Sequence, residues 1–122
     1  MNTQDSLVLN VHDYDKAHVG RNETLFTTAN GFLGLRGDYE EKNGCFHKGT
    51  YINGFYDTEP ITYGETAFGY AKNHETILNL PDPKRIELTV NDVPFSVDET
   101  TTRDFSLTLD LRTGIMTRMV TV

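Results

Sequence analysis

Tryptophan is absent from the 122 residues and cysteine occurs once, at Cys45. A single cysteine excludes an internal disulfide and a cysteine-based zinc site. Without an indole ring, any sugar-stacking platform has to be built from tyrosine or phenylalanine. Basic residues are also scarce: 11 Lys and Arg stand against 18 Asp and Glu, a formal net charge of -7, and they are scattered along the chain. Neither nucleic acid nor an anionic membrane suits such a protein, because both need a basic surface. No apolar run approaches the length of a membrane span, and the opening MNTQDSLVLN lacks the basic, apolar, small-residue order of a signal peptide. The expected location is the cytoplasm. Missing as well is a sustained helical period, so no amphipathic helix longer than a turn or two is expected.

What the chain does hold is strand and turn signals. Residues Glu23 to Glu41, ETLFTTANGFLGLRGDYEE, read as two strands joined at Asn30-Gly31, since Asn and Gly tolerate the positive φ of a two-residue hairpin turn. Gly31, Gly34 and Gly37 recur at every third residue of the second arm, the mark of a bend or a close backbone approach. They match neither the dinucleotide fingerprint nor a phosphate loop, and no helical pattern opens after Gly37. Leu7 to Val11 reads as a first strand and His12 to His18 as a loop. Thr50 to Tyr56 reads as a strand whose Tyr51, Phe55 and Tyr56 pack rather than stack on sugar. Asp57 to Ala71 reads as a long loop with a short strand at Ala67 to Tyr70, and is the best candidate to reach a substrate or partner. Thr76 to Leu80 is apolar and closed by Pro81-Asp82-Pro83. Ile86, Leu88 and Val90 alternate, Asn91-Asp92 turns, and Val93, Phe95 and Val97 alternate again, a second hairpin. Phe105, Leu107, Leu109 and Leu111 define one face of a further strand, Thr113-Gly114 turns it, and Ile115 to Val122 completes the pair. About eight strands with turn signals between them predict a single all-β domain over residues 1–122, a sandwich or a barrel. The chain stops inside an apparent strand, which suggests an incomplete portion of a larger domain and an open, apolar sheet edge free to pair with another chain.

Few residues offer chemistry. Arg36, Asp38, Glu40 and Glu41 form the one dense charged group, and paired carboxylates are the machinery of glycoside hydrolysis. Their spacing argues otherwise. Adjacent Glu40 and Glu41 face opposite sides of a strand, while Asp38 and Glu40 lie too close on one face to hold a sugar between them. An ion pair between Arg36 and these carboxylates, tying down the end of the hairpin, is the expected role. Cys45 as a nucleophile would need His47 as its base, and neighbours two apart on a strand diverge; an inert thiol is expected. His12, His18, His47 and His74 are dispersed and form no triad motif, and the His and Asp residues between His12 and His18 have no facing set for a metal. No catalytic, cofactor-binding or metal-binding residue is therefore assigned in this chain.

Together the segments ETLF, ANGFLGLRGDYEE, GTYINGFY, NLP and LDLRTG, in order between Glu23 and Arg118, resemble the N-terminal domain of glycoside hydrolase family 65, the maltose, trehalose and kojibiose phosphorylases and their hydrolytic relatives. NG-x-x-G-x-RG followed by EE, with GTY-x-x-G downstream, is the specific part. The resemblance implies a β-sandwich of the galactose-mutarotase-like, supersandwich type ahead of a helical (α/α)-barrel. The barrel would carry the catalytic acid and the phosphate site, and no residue of this chain matches those motifs. It further implies a disaccharide as substrate, inorganic phosphate as co-substrate without other cofactor, the protein's own barrel domain as partner, and a homodimer. Two other readings stand beside it. One is an independent carbohydrate-binding module, kept open by six tyrosines. The other is a mutarotase-like sugar epimerase, which needs a His/Glu pair in a concave face.

Overall fold

The computed structural model describes residues 7–122. The reading of the first ten residues as lacking a signal sequence falls partly on residues 1–6, outside that range. Ten strands and one short helix occur among the described residues, and every strand pairing is antiparallel, as the turn-rich, period-two sequence predicts. No helix among them is long and apolar enough to cross a membrane.

The main sheet has the order β1-β9-β10. Strand β1 (Val8–Val11) pairs with β9 (Asp104–Asp110), which pairs along its full length with β10 (Ile115–Thr121). Strict alternation makes this sheet one-sided: Phe105, Leu107 and Leu109 of β9 are buried while the residues between them are not. Against that face pack Phe26, Tyr39 and Val97, with Leu9, Val11, Tyr14, Met116 and Val120 at the margin. Tyr14, Tyr39 and Phe105 meet with ring centroids 5.7 to 6.4 Å apart. Each fully buried side chain of this size contributes about 1.5–3 kcal/mol. Leu111, expected on the same face, lies past the end of β9 and is exposed.

The central hairpin differs from the sequence reading. Residues Val19–Leu25 form a helix, α1, entered through a 3-10 turn at Lys16–His18 that Asp15 caps by accepting from Ala17 N at 2.8 Å. Glu23 is therefore helical, not the start of a strand. Val19, Asn22, Glu23 and Phe26 are the buried positions and recur at helical spacing, but two of the four are polar, so the apolar pattern hides the period. Only β2 (Thr28–Ala29) and β3 (Leu33–Leu35) remain of the hairpin. The turn residues are Gly31 and Phe32, closed by Asn30 N donating to Leu33 O at 3.1 Å, with Gly31 alone at positive φ, 85°. The Asn30 side chain locks the turn by accepting from Phe32 N and Leu33 N. Gly37 answers a close approach: a Cβ there would lie 2.6 Å from Phe26 Cβ and 2.8 Å from its carbonyl carbon and oxygen.

Downstream, the expected Thr50 to Tyr56 strand is broken. Strand β4 (Thr50–Ile52) joins β3, a second Asn-Gly turn follows with Gly54 at φ 84°, and β5 (Tyr56–Pro60) departs to pair with β6 (Asn73–Ile77). The long loop is thus partly strand, Ala67 to Tyr70 is a turn closed by Tyr70 N on Ala67 O, and only Thr76 and Ile77 of the apolar Thr76 to Leu80 segment belong to β6. Because this ribbon stands apart from the core, Phe55 and Tyr56 are exposed rather than packed. The Asn91-Asp92 hairpin forms as expected, both residues at positive φ (49° and 64°), but β7 (Thr89–Val90) and β8 (Val93–Pro94) are two residues each, and Ile86, Leu88, Val90 and Val93 face solvent.

Candidate functional site

Each carboxylate singled out by the sequence, Asp38, Glu40 and Glu41, is taken by a cation of the same chain. Asp38, wholly buried, holds Lys84 Nζ at 2.9 Å through Oδ1, and its Oδ2 faces Lys48 Nζ at 3.9 Å. Glu41 receives Arg118 in a two-pronged contact at 2.8 Å per bond, and Glu40 takes the same guanidinium at 2.9 Å. Arg118 in turn lies 4.8 Å from the centroid of the Tyr39 ring. Arg36 does not pair with these carboxylates, a correction to the sequence reading. Its guanidinium reaches Glu23 Oε2 at 3.5 Å, Thr24 Oγ1 at 3.1 Å and His47 O at 3.0 Å. The reason is the helix: α1 brings the buried carboxylate of Glu23 beside the segment that follows β3, within reach of Arg36.

Glu23 is the residue that sequence reasoning missed as a centre of organisation. Its carboxylate accepts from Phe46 N, and from His47 N at 2.9 Å, while its backbone oxygen accepts from Gly37 N at 2.9 Å. One buried residue thereby joins α1, the segment that follows β3 and the loop before β4. Hydrogen bonding on this scale is how a buried carboxylate becomes tolerable. Nothing in the local pattern marks Glu23 as buried; the ETLF segment in the family resemblance is the only signal that reaches it.

Cys45 is half-buried and donates to Tyr39 O at 3.4 Å, and burial pushes its thiol up, the opposite of what an activated nucleophile needs. His47 is exposed and held by its backbone. His18 contacts Asp15 at 2.6 Å, and His74 meets Glu59 at 3.5 Å across β5 and β6, a His/Glu pair on an exposed ribbon rather than in a concave face. At Asp82 burial works to raise the carboxyl, but the bond from Lys48 at 2.8 Å and that from Lys84 N outweigh it and leave it below the usual carboxylate range. No group of three or more His, Cys, Asp or Glu placed to hold a metal occurs among the described residues. A cleft of about 450 Å³ runs between β2, β3 and the β9–β10 turn. Thr27, Thr28, Asn30, Leu35, Leu109 and Thr113 are among its walls, and no side chain lining it titrates as an acid or base. A second cleft of about 430 Å³ is lined by Lys42, Lys48, Asp82 and Arg85, with Lys48 and Asp82 bound to each other. The charged site is thus a bed of ion pairs and hydrogen bonds that joins segments of the chain.

Comparisons with known proteins agree with the motifs. The profile described as "Glycosyl hydrolase family 65, N-terminal domain" matches residues 9–122. An alpha,alpha-trehalose phosphorylase of Thermoanaerobacter brockii is 43% identical over 105 residues, covering 82% of this chain and 13% of that protein. The maltose phosphorylase of Bacillus subtilis (strain 168) is 28% identical over 119 residues, 97% of this chain and 16% of that one. A solved structure titled "Putative kojibiose phosphorylase from human microbiome" shares the fold, with a TM-score of 0.82 at 21% identity, over 96% of this chain and 16% of its own. The chain therefore spans only about an eighth to a sixth of the length of these relatives. On the family profile and the trehalose phosphorylase alignment, this chain belongs to glycosyl hydrolase family 65, as its N-terminal domain.

Proposed function

We propose that this chain is a non-catalytic β domain of a longer, cytoplasmic family 65 disaccharide phosphorylase acting on α-glucosides, and that it buttresses the helical barrel in which phosphorolysis occurs. In that enzyme inorganic phosphate attacks the anomeric carbon while a glutamate of the barrel protonates the leaving oxygen, with inversion. The observation that supports a structural role is the fate of the carboxylates: Asp38, Glu40, Glu41 and Glu23 all lie on cations of this chain. Relatives whose names give trehalose and maltose as substrates support the reaction class.

The test is a turnover assay of the purified chain on trehalose, maltose and kojibiose, with and without phosphate. No turnover is expected; activity abolished by Glu40→Gln or Glu41→Gln would overturn the reading. A second reading, a carbohydrate-binding module, draws on the exposed Tyr56 and Phe68 and on the Tyr63–Tyr70 pair, whose centroids are 4.9 Å apart. Calorimetric titration with the same sugars separates the two, since saturable binding lost on Tyr63→Ala or Tyr56→Ala favours the module.

A further inference from the structure

We propose that Asn43-Gly44 is a site of spontaneous covalent modification, where the Asn43 side chain closes onto the Gly44 nitrogen, loses ammonia and reopens as aspartate or isoaspartate. The sequence holds three Asn-Gly pairs, at Asn30, Asn43 and Asn53. A glycine after asparagine carries no Cβ to shield its nitrogen, so by sequence all three are open to this ring closure. The fold separates them.

Asn30 and Asn53 are each held by side chain and backbone together. The Asn30 carboxamide oxygen accepts from Phe32 N at 3.0 Å and from Leu33 N at 2.8 Å, and its backbone N–H closes the hairpin on Leu33 O. The Asn53 side chain accepts from the Tyr56 hydroxyl at 3.1 Å and donates to Gly31 O at 3.4 Å, while its backbone N–H bonds Phe32 O at 2.8 Å. Bringing either carboxamide carbon onto the next nitrogen means breaking two side-chain bonds inside an ordered turn. Asn43 has a single one: its Nδ2 donates to Glu99 Oε1 at 2.9 Å, between two exposed residues. It lies in a run of bends outside helix and strand, and among the described residues neither Asn43 nor Gly44 makes a backbone-to-backbone hydrogen bond. The carboxamide can therefore turn at little cost, toward a nitrogen that no backbone acceptor holds.

The step balances with water as the only co-reactant. The Gly44 nitrogen gives its proton to water and bonds to Asn43 Cγ; the bond from Cγ to Nδ2 breaks, and ammonia departs with a proton taken from solvent. Water then opens the cyclic imide. Attack at the side-chain carbonyl gives ordinary aspartate, and attack at the backbone carbonyl gives isoaspartate, whose link to Gly44 runs through the former side chain. Both products add a negative charge to a chain already at -7, and they set it beside Glu99, so that an attraction becomes a repulsion. Isoaspartate also lengthens the main chain between two anchored points, Glu41 on Arg118 and Phe46 N on Glu23. None of this depends on the reaction that the longer protein catalyses.

Ageing the chain at mildly alkaline pH, with and without urea, tests it. Trypsin leaves the three pairs on separate peptides, residues 22–36, 43–48 and 49–72, so mass spectrometry reads each conversion against an unaged digest. In the folded chain Asn43 is expected to convert about tenfold or more faster than Asn30 and Asn53, in line with the extra bonds that hold those two, and in urea the three rates converge. Asn43→Gln removes the main acidic species that ion exchange separates from the aged chain. Conversion of Asn30 or Asn53 as fast as Asn43 in the folded chain overturns the proposal, as does a folded chain whose Asn43 stays intact while the unfolded chain reacts. An acidic species that survives Asn43→Gln overturns it too, and so does a ranking that persists in urea, since the fold would then not be its cause.

Discussion

Glu23 shows how one side chain can organise a fold whose local sequence gives no warning of it. A carboxylate has no intrinsic preference for the interior, and its presence there depends on donors contributed by Phe46, His47 and Arg36, 13 to 24 residues away. Glu23→Gln keeps the shape and removes the charge, leaving Arg36 without its counter-ion and the loop with one poor acceptor. We expect a loss of about 2–3 kcal/mol, as for hydrogen bonds to a charged group. The urea midpoint measures it, and an unchanged midpoint would mean that Arg36 and the loop are held without Glu23. By contrast Asp38, Glu40 and Glu41 stand out in the sequence as a group but not by partner. Lys84 and Arg118 lie dozens of residues away, and no spacing rule connects them to a carboxylate.

At the scale of elements, period and turn chemistry carried most of the reading. The β9–β10 pair and the Asn91-Asp92 turn were legible because alternation and positive-φ residues are local properties. Helix α1 was not, because its inward face is half polar. Two glycines of the expected hairpin separate backbone strain from crowding. At Gly31 a side chain would meet no atom within 4 Å, and only the φ of 85° resists it. Gly31→Ala should cost ~1–2 kcal/mol. At Gly37 the added carbon would press on the Phe26 backbone at the end of α1, which cannot swing aside as a side-chain tip could. Gly37→Ala should reach or exceed the upper end of about 1–3 kcal/mol. Thermal midpoints of the two variants decide it: equal losses would mean that α1 shifts freely to make room.

For the molecule as a whole, burial around the Tyr39 cluster sets the response to alkali. Burial raises Tyr39 from 10.0 to about 12 against the opposing pull of Arg118, and raises Cys45 above 9.0. Tyr14 moves the same way, through burial and its bond to Asp98. Groups that ionise later in the folded state contribute stability that is fully present below their unfolded values and is lost as pH climbs through the folded ones. Stability should hold near neutrality, begin to fall near pH 9 and lose about 2–3 kcal/mol to Tyr39 alone by pH 12. Denaturant titrations across this range check it. Cys45→Ala should delay the onset and Tyr39→Phe should shrink the fall, whereas a flat profile would mean these groups are open to water. What the sequence by itself determined is the all-β class, the strongest turns and the family, since strand period, turn dihedrals and ordered motifs are properties of neighbouring residues. Only the tertiary structure decided that Glu23 is buried and that three carboxylates divide among Lys84, Lys48 and Arg118. Those outcomes depend on which distant donors and strands arrive beside a residue, and no local pattern encodes that.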